Sequence, residues 1–216
     1  MKKSLFIIGD IHGCYYSFKE LLDTHWNPEQ EQLIQVGDLI SKGKHSPRVI
    51  ELARKLEASH GAVFLQGNHE YKAINHYINK VQSLFWEETF LAPMETQYEK
   101  YKRDLLSDIK WSAKNPLIWE NDQVLVSHAG ISMMADAYSP HSHFGLLWHR
   151  TPLKNVGKLQ VIGHTPKPQP IYDPVQNYIN VDTGAFKGEF LTAAKVSVDG
   201  VFERFVSVLA DERDVF

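Results

Sequence analysis

Three short apolar runs, separated by two amphipathic stretches, occupy the first third of the chain. This alternation restricts the fold more than any other feature. The runs are SLFIIG (4–9), QLIQVG (32–37) and AVFLQG (62–67). Each suits a buried strand and is too short for a core helix. Between them, CYYSFKELLDTH puts Tyr15, Phe18, Leu21 and Leu22 on one helical face, and SPRVIELARKLEAS does the same with Val49, Leu52, Ala53 and Leu56. Ser46 and Pro47 read as the N-cap and first residue of the second helix. Residues 4–67 therefore read β-α-β-α-β, which demands right-handed crossovers and a largely parallel sheet. Two further runs, QVLVSH (123–128) and LQVIGH (159–164), extend the strand set. Residues 70–113 read as a helical insert with a break near Pro93. From Ile171 onward, YINVDTG, EFLTAAKVSV and GVFERFVSV read as strands joined by Gly turns, in antiparallel pairing. The class is α/β, and 216 residues suffice for one domain, 1–216, with a sizeable core.

All five runs end in the same kind of polar cluster. The first closes in Gly9-Asp10-Ile11-His12-Gly13, the second in Gly37-Asp38 and the third in Gly67-Asn68-His69-Glu70. The fourth closes in Ser127-His128-Ala129-Gly130 and the fifth in Gly163-His164-Thr165. Taken singly these residues are unremarkable. Asp10 reads as a helix cap, Asp38 as an Asx-turn, Asn68 as a turn residue, His12 as a turn or surface histidine, and His128 and His164 as satisfied core histidines. Five coincident strand ends change that reading, because ligands collect at the carboxyl ends of parallel strands. Oxygen and nitrogen donors without thiolates suit Mn, Fe, Zn, Ni or Co. Six ligands overfill one ion but serve two ions about 3.5–4 Å apart. Asp10 and His12 can hold one, Asn68, His128 and His164 the other, and Asp38 can bridge them. Two divalent cations against two carboxylates leave a local positive charge, which favours an anionic substrate.

Composition removes several classes of function. The net charge of −3 gives no broad electrostatic case for nucleic-acid binding. No apolar run approaches the roughly 20 residues that span a bilayer, and MKKSLFIIGD lacks the long apolar core of a secretory leader. Cys14 is the single cysteine, so no internal disulfide forms, which fits a reducing cytoplasm. Cys14 also lacks the Arg six positions on that a thiol-dependent phosphatase needs, since Glu20 stands there. Of the eleven histidines, His25, His45, His60, His76, His141, His143 and His149 have no motif support.

The series GDIHG, GDLISKG, GNHE, SHAG and GHT resembles the signature of the phosphoprotein phosphatase family of calcineurin-like metallophosphoesterases. That family includes Ser/Thr protein phosphatases, small bacterial and phage protein phosphatases and symmetrical diadenosine tetraphosphatases. VDTG (181–184) and the C-terminal strands extend the resemblance over nearly the whole chain. It implies two mixed β-sheets, sandwiched and flanked by helices. It implies that Asp10, His12 and Asp38 bind one divalent transition-metal ion and Asp38, Asn68, His128 and His164 a second, with Mn as the first choice. It further implies that a metal-bridging hydroxide attacks phosphorus in line, with no covalent intermediate. His69 would protonate the leaving oxygen, sitting beside the site and pointing away from the metals. LLWHR (146–150) resembles the LW-x-R segment of small bacterial members, which gives Arg150 the role of phosphate clamp.

The second motif departs from the family. Where Asp-Arg-Gly is usual, the chain has Ser41-Lys42-Gly43. Lys42 keeps a cation for the phosphate, as a point donor rather than a fork. Ser41 removes the carboxylate that normally supports the general acid, so His69 is expected to titrate lower. A non-acidic residue followed by Arg or Lys points to the diadenosine tetraphosphatase-like branch. GNHE, LWHR and the short length point to bacterial protein phosphatases. The reading taken is a phosphoprotein phosphatase for Ser/Thr, with Tyr as a further class. Its alternatives are a symmetrical dinucleoside polyphosphate hydrolase and a non-catalytic phospho-ligand binding protein. The partner is thus a phosphorylated protein or peptide, or a dinucleoside polyphosphate. An adenine-stacking surface from Tyr138, Phe144, Trp148, His141 and His143 competes with a lid packed on its own core, and the lid is preferred.

Overall fold

Strand β1 (Ser4–Ile8) divides its apolar residues between two cores. Phe6 and Ile8 face a cluster with Phe18, Leu21, Val49, Ile50 and Ala53. Leu5 and Ile7 face a second cluster with Val124, Val126, Val161 and Ile179. The period-two alternation of a strand therefore serves a helix layer on one side and a second sheet on the other. Each of these side chains is fully or almost fully buried, which stabilises by about 1.5–3 kcal/mol apiece. The computed structural model describes residues 4–150 and 152–216, so the first three residues of the leader reading lie outside it.

The expected β-α-β-α-β order is present: β1, α1 (Tyr15–His25), β2 (Glu31–Gln35), α2 (Ser46–His60) and β3 (Val63–Phe64). Helices α3 (Asn68–Tyr77), α4 (Leu84–Trp86), α5 (Ala92–Tyr101) and α6 (Leu105–Ser112) follow, then β4 (Ile118–Glu120), β5 (Val124–Ser127), β6 (Leu159–Ile162), β7 (Ile171–Asp173), β8 (Tyr178–Asn180), β9 (Phe190–Ser197) and β10 (Phe202–Leu209). One sheet has the order β10-β9-β1-β2-β3 and the other β4-β5-β6-β8-β7. Parallel pairs β1–β2 and β2–β3 join antiparallel β1–β9 and β9–β10 in the first sheet. Parallel β5–β6 and β6–β8 join antiparallel β4–β5 and β7–β8 in the second. Two mixed sheets flanked by helices are the architecture the family resemblance implies.

The motif-bearing strands divide between the two sheets: β1, β2 and β3 lie in one, β5 and β6 in the other. Two local expectations need correction. The C-terminal strands are not uniformly antiparallel, because β8 pairs parallel with β6. The break in the helical insert falls at residues 78–83 rather than at Pro93. Pro93 sits in the first turn of α5, directly after a π-helical turn, Glu87–Leu91, and this widened turn accommodates the missing proline N–H. A smaller shift concerns α2, whose N-cap is His45, one residue earlier than read. Ser46 Oγ instead accepts the Ser41 N–H at 3.0 Å and so ties down the second motif. No described helix is long and apolar enough to cross a membrane.

Candidate metal centre

Loops leaving β1, β2, β3, β5 and β6 bring all six proposed ligand residues together. Asp10, His12, Asp38, Asn68, His128 and His164 are all buried. Asp38 Oδ2 stands 3.3 Å from His12 Nε2 and 3.5 Å from His128 Nε2. Asp10 Oδ2 lies 3.9 Å from His12 Nε2. Asn68 Oδ1 lies 2.8 Å from His128 Nε2 and 3.0 Å from His164 Nδ1. Asp38 is common to two groups of three, one with Asp10 and His128 and one with His12 and His69, whose donor atoms lie within 4.8 Å of one another.

The backbone supports this convergence at a conformational cost. Five of the eight described non-glycine residues with positive φ are motif residues: His12 (47°), Asp38 (61°), Ser41 (73°), Lys42 (64°) and His164 (68°). Such strain persists only where the surroundings enforce it. Gln35 supplies part of that enforcement, donating from Nε2 to Gly9 O (3.1 Å) and Gly37 O (2.6 Å) while accepting from Gly37 N–H (3.0 Å). His12 N–H donates to Asp38 O at 2.8 Å, interlocking the first two loops. A Cβ on Gly67 would collide with the Asp38 carboxylate, and one on Gly163 with that of Asp10, so these two glycines let backbone seat directly against the acids.

Backbone carbonyls fix the tautomer of each ligand histidine. His12 Nδ1 donates to Ile40 O (3.0 Å), His128 Nδ1 to Val36 O (3.2 Å) and His164 Nε2 to Trp148 O (3.1 Å). A carbonyl carries no hydrogen, so the proton sits on that nitrogen and the other ring nitrogen turns a lone pair inward. His128 Nε2 and His164 Nδ1 then face each other at 3.1 Å, both beside Asn68 Oδ1. Three acceptors without a shared hydrogen repel unless a cation lies among them. Burial pushes the carboxyls of Asp38 and Asp182 up to about 6 each, and burial followed by Asp182 and Asp38 raises Asp10 well above the usual range. Burial likewise lowers His128 to about 3 and His164 to about 2, so both stay neutral ligands at ordinary pH. Crowded carboxylates and inward lone pairs fit divalent cations bound by O and N donors.

Sequence reading missed two contributors. Glu70, at the third position of α3, accepts the N–H groups of Asp38 (2.8 Å), Leu39 (2.8 Å), Ile40 (3.2 Å) and Gly67 (2.8 Å). The bond from Gly67 is half of a capping box, a sequence signal that was available. The three bonds to the Asp38 loop join segments some 30 residues apart, and no local pattern announces them. Asp182, just past β8, adds a buried carboxylate beside Asp10, and its Oδ2 has no hydrogen-bond partner among the described residues.

His69 is buried with its Nε2 4.0 Å from Asp38 Oδ2, so its ring turns toward the ligand cluster rather than away from it as expected. Its ring contacts His12 at 4.7 Å and Trp86 and Phe90 at 4.8 Å each, all nearly edge-on. The Nδ1 of His69 has no hydrogen-bond partner among the described residues, and neither does Ser41 Oγ. Burial, and after it His12 and Lys42, holds His69 well below the ordinary imidazole range. Lys42 donates to His12 Nε2 at 2.8 Å and rides over the Phe186 ring. Arg150 donates from Nη1 to His164 O (3.2 Å) and Thr165 Oγ1 (3.0 Å), so the two cations flank the centre at its His12 and His164 edges. Two histidines without motif support bond within the fold. His45 accepts from Tyr101 OH and donates to Arg213 O, and His149 donates from Nε2 to Gly130 O. The lid over 131–148 packs on its own core of Ile131, Ala137, Leu146 and Leu147. Trp148 joins that core and donates to Pro140 O, while Tyr138 and Phe144 point outward. Cys14 is fully buried in the core between the first sheet and its helices.

Residues 3–196 match the calcineurin-like phosphoesterase family. A bis(5'-nucleosyl)-tetraphosphatase PrpE [asymmetrical] of Anoxybacillus flavithermus is 30% identical over 88% of this chain and 89% of its own. Among solved structures, a putative diadenosine tetraphosphatase superposes with a TM-score of 0.69 at 20% identity, covering 98% of this chain and 96% of that one. A protein serine/threonine phosphatase of Saccharomyces cerevisiae superposes with a TM-score of 0.64 at 16% identity, covering 98% and 81%.

Proposed function

This chain belongs to the calcineurin-like phosphoesterases, a metal-dependent hydrolase family, and from that premise we propose that its substrate is a dinucleoside polyphosphate. The observation that carries the choice is the unsupported His69. With Ser41 in place of a carboxylate and Nδ1 unbonded among the described residues, His69 is a weak reservoir of protons at neutral pH. A serine alkoxide is strongly basic and cannot leave without a proton. A nucleotide phosphate leaves as a weak base, with a second pKa of about 6, and asks far less of a general acid. The named activity of the Anoxybacillus relative agrees with this reading. Phosphomonoesters, phosphoproteins among them, are the second substrate class, supported by the Leu147-Trp148-His149-Arg150 segment.

We assign Asp10, His12 and Asp38 to one divalent cation and Asp38, Asn68, His128 and His164 to the other, with Mn the first choice. When bound, the pair supplies Lewis acidity and lowers the pKa of water. The chain's own groups do the rest. Lys42 and Arg150 bind the non-bridging oxygens of the reacting phosphate from opposite edges and neutralise charge that grows in the transition state. Arg150 is oriented for this by its bonds to His164 O and Thr165 Oγ1. His69, next in sequence to Asn68, gives its proton to the leaving oxygen. Glu70 holds the Asp38 loop in its strained conformation. The single cysteine favours the cytoplasm as the working compartment.

Turnover by Mn-reconstituted protein on diadenosine tetraphosphate, a phosphoserine peptide and p-nitrophenyl phosphate tests the proposal. The dinucleotide should show the highest kcat/KM, and product analysis then separates AMP plus ATP from two ADP. A preference for the phosphopeptide would return the protein to the second class.

A further inference from the structure

Beside Arg150 the surface opens into a cavity of about 100 Å³. Its polar lining is His149, Arg150, Thr165, Lys167, Gln176, Tyr178 and Asn180, and no carboxylate contributes to it. Two cations with amide and hydroxyl donors make an anion site by charge and by hydrogen-bond type. A volume of about 100 Å³ is ample for one phosphate group. The walls are fixed in place. Arg150 bonds Thr165 Oγ1, Asn180 Nδ2 donates to Thr165 O at 3.0 Å, and Lys167 N–H donates to Asp182 O at 3.0 Å. Lys167 is thereby held on the loop that follows His164, half-exposed, with its side chain lining the cavity.

We propose that this cavity is a second phosphate subsite, in which Lys167, together with Arg150, binds the phosphate adjacent to the reacting one. Arg150 is shared between the two phosphates, and Lys167 is the specificity residue that distinguishes a polyphosphate from a monoester. The inference rests on the polyphosphate reading above, and it adds a residue and a location that the family motifs do not contain.

The test uses p-nitrophenyl phosphate hydrolysis as the reporter, so it does not require the protein to cleave a dinucleotide. Competitive inhibition by pyrophosphate and by orthophosphate is measured in wild type, Lys167→Ala and Lys167→Arg at one fixed excess of Mn²⁺, so that chelation cancels in the ratio. Wild type should bind pyrophosphate more tightly than orthophosphate. Lys167→Ala should weaken pyrophosphate roughly tenfold, the scale of one charge-assisted hydrogen bond, leave orthophosphate and monoester kcat/KM unchanged, and be rescued by Arg. Equal inhibition ratios in wild type and Lys167→Ala overturn the subsite, as does an equal loss for both anions. If diadenosine tetraphosphate is not turned over while the pyrophosphate ratio still depends on Lys167, the substrate reading fails and the subsite stands.

Discussion

Replacing Glu70 by Gln changes one atom and removes the acceptor that holds the centre together. The Glu70 carboxylate takes four backbone N–H groups, two on each oxygen. A glutamine offers one oxygen, which keeps two of them, and sets an NH₂ group against the other two. Each buried amide left without an acceptor costs about 1–3 kcal/mol, so the loss is on the order of 2–6 kcal/mol against a total stability of roughly 5–15 kcal/mol. Part of that cost is released by letting the Asp38 loop relax from its positive φ, which moves the shared carboxylate. Burial, then Asp38, pushes Glu70 up to about 7 while the amides draw it down, so the comparison belongs at pH 8, where the carboxylate prevails. The assay is a urea titration followed by tryptophan fluorescence, paired with Mn²⁺ titration of the folded protein. Glu70→Gln should lower the unfolding midpoint clearly and weaken Mn²⁺ binding by at least tenfold. Wild-type stability with wild-type Mn²⁺ affinity would refute the reasoning, since the four bonds would then carry no load.

Three further outcomes are expected. His69→Asn should cut kcat by about 10²–10⁴-fold on a phosphoserine peptide, whose alkoxide needs a proton, while retaining Mn²⁺, and by less on diadenosine tetraphosphate; lost metal would make His69 a ligand instead. Ser41→Asp supplies an anion where the family has one, on a residue type that tolerates φ of 73°. An acid catalyst must be protonated, so raising the His69 pKa by about 1–3 units should move the alkaline limb of the rate profile upward by that amount; an unmoved limb removes Ser41 from the account. In metal-free protein, Asp38 and Asp182 titrate near 6 when folded against 3.8 as the ordinary value. Folded protein holds protons on these two groups that the unfolded chain has released, while His128 and His164 stay neutral where the unfolded imidazoles are protonated, so the carboxyl effect is read as a difference: wild-type Tm relative to Asp182→Asn should fall as pH rises from about 4 through 6. Saturating Mn²⁺ should abolish that fall, and an identical profile with and without metal would contradict the site assignment.

The parallel half of the fold was legible because its signals are local. Apolar runs, amphipathic spacing at Phe18, Leu21, Val49 and Ala53, and a glycine leaving each strand all lie within a few residues of one another. What escaped the sequence is set by contacts across the chain. Helix α1 has no side-chain cap of its own, and Asp214 supplies it from 197 residues away by accepting Ser17 N–H at 2.8 Å. Glu70 was quoted in a motif without a role, because its partners are amides of another loop. Strands β4 and β7 are three residues each, too short for alternation to register. The assignment of β8 to the second sheet depends on packing of Ile179 and Val181, and it is that placement which brings Asp182 beside Asp10.

The most direct test is the bound metal content of wild type and Asp38→Asn after Mn²⁺ reconstitution and exhaustive buffer exchange, read by plasma mass spectrometry. A carboxylate shared between two cations predicts about two Mn per wild-type chain and loss of both in the variant. Wild type that retains no metal, or a variant that retains as much as wild type, would contradict the account.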